Sequence, residues 1–550
     1  YYVCRDEIID LDQVKDQLWV PNLAERIMKG DTINAPTLAE LNVCNLIPLV
    51  ETKEETKDNY QFQITSRRGG LGDVIISVNN IESLRLTSKD LQKNGNEYLL
   101  KVDKKAIQKY FVPGETNSIN VKALTASNDI SSRSTVVEEQ GVPVTIKTAP
   151  NLYAVVVGVS DYKGTELDLR YAAKDANDIA GAIEMSAKKL LNTDDKNHVF
   201  VYKLHTAEGH DLFPEKNSIR KIINDIGVKA QPNDILLIFF AGHGKWDKDK
   251  NQFFFLTADA SKETVTSAIS DVGISMQELT DWIQPSKMKA QKRILVFDAC
   301  NSGQAIKDLV KIGNDDQKYL VARDDEKAEQ IKAVEKLNNK SGLFILSASA
   351  SNQYAYEMGK YSQGLLTYSL LKAIKEQPEV LEDRKYLSVY RWFDAAEKTV
   401  SNIAAVNGGQ QQPQLVSTTN FSIGVVDDEV RNKIVLPNEK PVFAASNFQN
   451  SDEDIAADNL GMNKLVDNIL SDISVRAVDS KISYLPYSAT DAYNLSGRYT
   501  LTGSDILLKV NIRKNNQTLC KFDVRGTTDK PEAIAQNVTA KAIEWLSANK

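Results

Sequence analysis

Between residues 150 and 425 the apolar positions run unbroken instead of alternating. LYAVVVGVSDY, HVFVYKL, DILLIFFAGHG, RILVFDAC, LFILSAS and QLVSTTNFSIGV each carry a Val/Ile/Leu/Phe-rich run of strand length. Such runs predict strands covered on both faces. Segments with helical spacing separate them, among them AAKDANDIAGAIEMSAKKLL and SIRKIINDIGVKA. Strand–helix alternation predicts a three-layer α/β domain over residues 149–427, built on a mostly parallel six-stranded sheet.

The flanks read differently. Residues 1–40 are mixed and weakly helical, an N-terminal segment or the tail of something upstream. Residues 41–148 alternate apolar and polar positions around turn signals, as in YQFQITSRRGGLGDVIISVNN and at Ile119, Val121 and Ala123. That pattern predicts a small antiparallel sandwich. Gly69, Gly70 and Gly72 lack the Lys-Ser/Thr ending and following helix of a phosphate loop, so they predict a hairpin turn. Residues 426–440 read as a polar linker. Residues 441–550 predict a small α+β domain: an amphipathic helix at MNKLVDNILSDI, a meander turning at Asn515–Asn516, and a closing helix at EAIAQNVTAKAIEWLSA. Inside the central domain, residues 304–342 are highly charged and predict an exposed loop.

Composition narrows the function classes. The 550 residues are 42% hydrophobic and 26% charged, with a formal net charge of -7. An acidic balance argues against nucleic acid as a partner. No apolar run approaches the roughly 18 residues of a membrane span. Four cysteines, Cys4, Cys44, Cys300 and Cys520, lie far apart with no CxxC pair. The expectation is no structural disulfide, a reducing compartment and a cytoplasmic location. The chain starts at Tyr1, not Met, and shows no signal-peptide pattern, so an incomplete N-terminus is expected. His205 and His210 lack ligands at zinc spacing, and Asp315, Asp316, Asp324 and Asp325 lack the spacing of an EF-hand loop. No metal and no cofactor are expected.

Chemistry concentrates at two strand ends. In open α/β sheets, sites form beyond the carboxyl ends of the strands. The run at 235–241 ends on Gly242, His243 and Gly244, and the run at 294–297 ends on Asp298, Ala299, Cys300, Asn301, Ser302 and Gly303. On parallel neighbours, an imidazole and a thiol would meet at one sheet edge, the arrangement for nucleophilic acyl transfer. The Gly244 and Cys300 amides are candidate oxyanion donors. Residue types alone leave a second reading open, in which Cys300 is a small buried apolar residue and His243 is unrelated to it.

LLIFFAGHG and ILVFDACNSG resemble the His and Cys signatures of the caspase-like cysteine peptidases. YAVVVGVSDYKG with LDLRYAAKDANDIA resembles the family's first strand and helix, LFILSASASNQYAYE its fifth strand, and GLLTYSLLKAI the helix after it. The likeness covers about residues 150–425 and is closer to the bacterial, metacaspase-like and orthocaspase-like branches than to animal caspases. It implies a Cys-His dyad with Cys300 as nucleophile and His243 as general acid/base, and it places the Gly244 and Cys300 amides in the oxyanion hole. Strand periodicity puts Asp298 on the same side as Cys300. Asp175 matches a metacaspase position lining the primary specificity pocket. Two carboxylates there imply proteolysis after Arg or Lys. The alternative for Asp175 is a helix cap. Two positions depart from the metacaspase pattern: Ala241 stands where Ser is frequent, and Asn301 where His is frequent.

The 304–342 loop sits where related enzymes undergo autoprocessing. Self-cleavage is expected at basic residues such as Arg323, Lys327, Lys332, Lys336 and Lys340, with a simple solvated loop as the alternative. The 41–148 region is similar to the Ig-like domain of some bacterial caspase-like proteins, and the flanks are candidate sites for a regulatory partner. The resemblance implies an endopeptidase with protein or peptide substrates, in a bacterial defence or regulated cell-death setting. A catalytically silent scaffold of the same fold is the competing reading.

Overall fold

The computed structural model describes residues 2–4, 7–18, 20, 23–33, 36–143, 149–299, 302, 343–349, 357–406, 411–416, 420–437, 439–452, 457–476, 480–487 and 491–549. The charged loop at 304–342 lies outside them, with Arg323, Lys327, Lys332, Lys336 and Lys340. So does Cys300.

Alternation drives the N-terminal β region. In Asn59–Thr65 every second residue is buried, and Tyr60, Phe62 and Ile64 face inward. They meet Val74, Ile76 and Val78 from a second sheet in one core. The two sheets have four strands each, and all their pairings are antiparallel. Gly70 has φ +73° in the turn after Arg67, whose carbonyl accepts the Gly70 amide, but the glycine-rich stretch is not the expected hairpin: Asn59–Thr65 and Val74–Val78 on either side of it belong to different sheets, and the turn carries the chain from one to the other.

The first forty residues are not a detached tail. A hairpin of Tyr2–Cys4 with Glu7–Ile9 precedes the helix Leu11–Leu18. Ile9 and Val14 pack with Val43, Ile47 and Ile130. Arg67 pairs with Glu7, and Gln13 Nε2 donates to Ser131 O. Cys4 and Cys44 form a disulfide. This corrects the expectation of unpaired cysteines, which rested on spacing: the partners are 40 residues apart, and they meet where the hairpin packs with Val43 and Ile47. The reasoning toward a reducing compartment loses that premise.

The central sheet contains β1 (Leu152–Gly158), β2 (Val199–His205), β3 (Ile235–Gly242), β4 (Lys292–Ala299), β5 (Leu343–Ser347) and β6 (Gln414–Val416). Their order is β2-β1-β3-β4-β5-β6, parallel except for the last pairing. Every residue of β1 and β3 is buried, as unbroken apolar runs require. Parity splits them between two cores. Leu152, Ala154 and Val156 pack with α1 (Ala172–Leu191), α3 (Leu365–Glu376) and α4 (Val389–Val406). Tyr153, Val155 and Val157 pack against α2 (Lys216–Lys229) and the helix Met276–Ile283. The last expected strand divides in two. Gln414–Val416 joins the main sheet, while Ser422–Val425 joins a separate three-stranded sheet.

The stretch expected as a linker contributes to the core. Asp427 caps a short helix, Asp428–Lys433, by accepting from Val430 N, and Val430 and Ile434 are buried in the α1 core. The C-terminal region is mixed α+β: five strands in one sheet, with helices Met462–Arg476 and Pro531–Ala548 sharing its core. No helix of the described residues is long and apolar enough to cross a membrane.

Replacing Cys4 and Cys44 by Ser should loosen the N-terminal segment. Closing a 40-residue loop is worth about 4 kcal/mol in the chain-entropy picture. Hydrogen exchange at the Val14 and Val43 amides should therefore accelerate by several orders of magnitude. Unchanged protection would mean that apolar packing alone holds the segment.

Candidate active site

Two neighbouring strands end at one edge of the sheet. The β3–β4 register runs from Ile235↔Lys292 to Ala241↔Asp298 and Gly242↔Ala299. The next residues in sequence are His243 and Cys300. Cys300 lies outside the described residues, but its chain neighbours Ala299 and Ser302 are buried. Ser302 Oγ accepts from Ser349 N at 3.3 Å, tying Ser302 to the chain just after β5.

His243 is oriented by groups from the loop after β1. Its Nε2 lies 2.8 Å from Leu167 O. A carbonyl can only accept, so Nε2 carries the proton and Nδ1 is the basic nitrogen of the neutral ring. The His243 amide donates to Tyr162 Oη at 2.9 Å, and the two rings lie 5.3 Å apart between centroids. The loop is itself braced. Tyr162 N donates to Asp168 Oδ1, Leu169 N to Ser160 O, and Ala173 N to Ser160 Oγ. Gly242 makes the approach possible. It has φ +155°, and a Cβ there would stand 2.9 Å from Tyr162 Oη.

Gly244 begins a short strand, Gly244–Asp247, antiparallel to Gln252–Leu256. Leu256 N donates to His243 O at 2.9 Å. Hydrogen-bonded and non-hydrogen-bonded pairs alternate along such a ladder, so the Gly244–Phe255 pair is non-bonded. The Gly244 amide therefore points away from its partner strand, as an oxyanion donor requires.

The two carboxylates singled out in the sequence come together. Asp175 is 2% exposed and Asp298 is 8% exposed. Asp175 Oδ2 accepts from Gly364 N at 2.9 Å. Asp298 Oδ2 accepts from Thr367 N at 3.1 Å and from Thr367 Oγ1 at 2.6 Å. Asp175 does not cap its own helix: the cap position of α1 is Tyr171, which makes no side-chain cap bond. One turn along α1, Asp178 accepts from Gln363 Nε2 at 2.8 Å and from Lys174 Nζ at 2.5 Å. Lys174, Asp178 and Gln363 thus anchor the residue before Gly364.

Some of these partners carry no readable sequence signal. Leu167 acts through its carbonyl, which every residue has. Tyr162 stands in SDYKG without a motif around its hydroxyl, and Thr367 is one polar residue at the start of an apolar helix.

The caspase domain family matches residues 151–422. No curated protein matches the chain. Among solved structures, a Bacillus anthracis protein assigned as a polysaccharide deacetylase is similar at 10% identity, covering 53% of this chain and 78% of its own, with a TM-score of 0.13. A Paenibacillus chitinase matches at 9% identity over 52% of this chain and 24% of its own, with a TM-score of 0.14. A Bacteroides uniformis β-glucuronidase matches at 7% identity over 87% and 60%, with a TM-score of 0.16. Likenesses at that level carry no argument about fold or activity. The strand order, the strand-end His243 and the family match converge on one conclusion: residues 151–422 are a caspase-family peptidase domain.

Proposed function

We propose that this chain is a cysteine endopeptidase of the metacaspase-like branch that cleaves its substrates after Arg or Lys. The observation that carries the specificity is the meeting of Asp175 and Asp298 at Gly364, both nearly fully buried. Two carboxylates so placed match a planar cation that can bridge them. An acidic substrate residue would meet like charge there instead.

In this reading Cys300 attacks the scissile carbonyl as thiolate. The amides of Gly244 and Cys300 receive the developing oxyanion. His243 Nδ1 delivers the proton to the leaving amine, and a water then hydrolyses the thioester with His243 as base. His243 takes that proton from the Cys300 thiol, so the ring is an imidazolium when the thiolate attacks and again once it has deprotonated the water; Leu167 O, held on Nε2, stabilises both. Self-cleavage at Arg323, Lys327, Lys332, Lys336 or Lys340 follows from the same preference, since all five are basic residues of one charged loop.

Fluorogenic peptides differing only in the residue before the scissile bond test this. The Arg peptide should turn over at least about 100-fold faster than the Asp peptide, the scale of a buried charge pair gained against one opposed. Cys300→Ala should abolish turnover of both peptides and leave the 304–342 loop intact. Faster cleavage of the Asp peptide would overturn the specificity, and undiminished activity of Cys300→Ala would overturn the dyad.

Asp298→Asn should lower kcat/KM on the Arg peptide by about 100-fold, because truncating one partner of a buried charge pair costs a few kcal/mol. The Asp peptide should lose much less. Equal losses on both would indicate a general structural role for Asp298.

A further inference from the structure

The acidic pair has an internal ligand, the amino end of α3. The first amides of a helix have no partner within it and carry partial positive charge. Here they are satisfied from outside, by carboxylates on two other elements: Gly364 N by Asp175 of α1, and Thr367 N by Asp298 of β4. Thr367 adds its hydroxyl to the same Asp298 oxygen.

Residue 364 is glycine because of these contacts, not because of its backbone. Its φ is -59° and ψ 139°, which any residue adopts. A Cβ at this position would lie 2.7 Å from Asp298 Oδ2 and 2.9 Å from Asp175 Oδ2. The missing side chain lets the helix start come between the two carboxylates and bond both.

We infer that Gly364 and Thr367 are specificity-positioning residues: they fix the spacing and orientation of Asp175 and Asp298 so that the pair grips an arginine side chain bidentately. The inference rests on the Arg/Lys reading above and adds the residues that make it selective. A planar fork needs both carboxylates held in place, whereas a lysine ammonium is a point charge and tolerates a displaced one. Thr367 touches no reacting atom and acts through Asp298.

The test is steady-state kinetics of the full chain on paired Arg and Lys peptides, with Thr367→Val, Thr367→Ala and Thr367→Ser. Losing one hydrogen bond to a charged group corresponds to roughly a tenfold effect. Thr367→Val and Thr367→Ala should each raise KM for the Arg peptide about tenfold, leave kcat within about twofold, and lower the Arg-to-Lys ratio of kcat/KM. Thr367→Ser keeps the hydroxyl and should restore all three. Alanine suits a helix start, so that variant covers the case in which valine fails to fold. Gly364→Ala should shift the ratio in the same direction and further.

An unchanged Arg-to-Lys ratio in both hydroxyl-free variants would overturn the inference while leaving the Arg/Lys reading intact. A fall in kcat on both peptides at constant ratio would also overturn it, as the mark of a structural role. If the wild-type chain cleaves neither basic peptide but cleaves an acidic one, the Arg/Lys reading falls and takes the inference with it.

Discussion

The site depends on the register between β3 and β4. With Gly242 opposite Ala299, the two chains leave the sheet at the same level, and the next residues are His243 and Cys300. A slip of one residue would exchange the faces of every side chain in one strand. Phe240 and Phe297 would leave the core they share at 5.4 Å, and Asp298 would lose Thr367. Each of Ile238, Phe240, Leu295 and Phe297 is fully buried. Both faces of these strands are buried, so a slip would force them into the opposite core, which is packed around other side chains, at about 1–3 kcal/mol for each misfit. The apolar core thereby sets the position of polar groups that contribute nothing to it.

The polar groups then hold one another. The loop after β1 reaches over the strand ends and fixes His243 through one hydroxyl and one carbonyl. The amino end of α3 arrives from the far side and fixes Asp298 and Asp175. Three stretches of chain, near residues 162–175, 298 and 364–367, therefore converge on one sheet edge. This joins the two arms of the proposed chemistry. Strand pairing puts Gly242 and Ala299, the residues before His243 and Cys300, at one level, and helix docking fixes the two carboxylates beside them.

What could be read from the sequence follows from range. The central strands were readable because a run such as ILLIFFAG is apolar at every position, and only burial on both faces accommodates that. Asp298 was readable because strand parity is local. Its company with Asp175 came from a family likeness, since 123 residues separate the two in a chain of 550. Leu167, Tyr162 and Thr367 were not readable, because their roles rest on contacts that no spacing encodes. The Cys4–Cys44 bond escaped for the same reason. Val430 and Ile434 were hidden in a polar stretch, two apolar residues whose burial depends on a helix capped by Asp427.

The most direct measurement is the pH dependence of Cys300 alkylation by iodoacetamide, followed by peptide mass mapping to separate it from Cys520. An imidazole beside the thiol should draw its titration well below the roughly 8.5 of an ordinary cysteine, and His243→Ala should return it there. Identical profiles near that ordinary value in wild type and His243→Ala would contradict the pairing of His243 with Cys300.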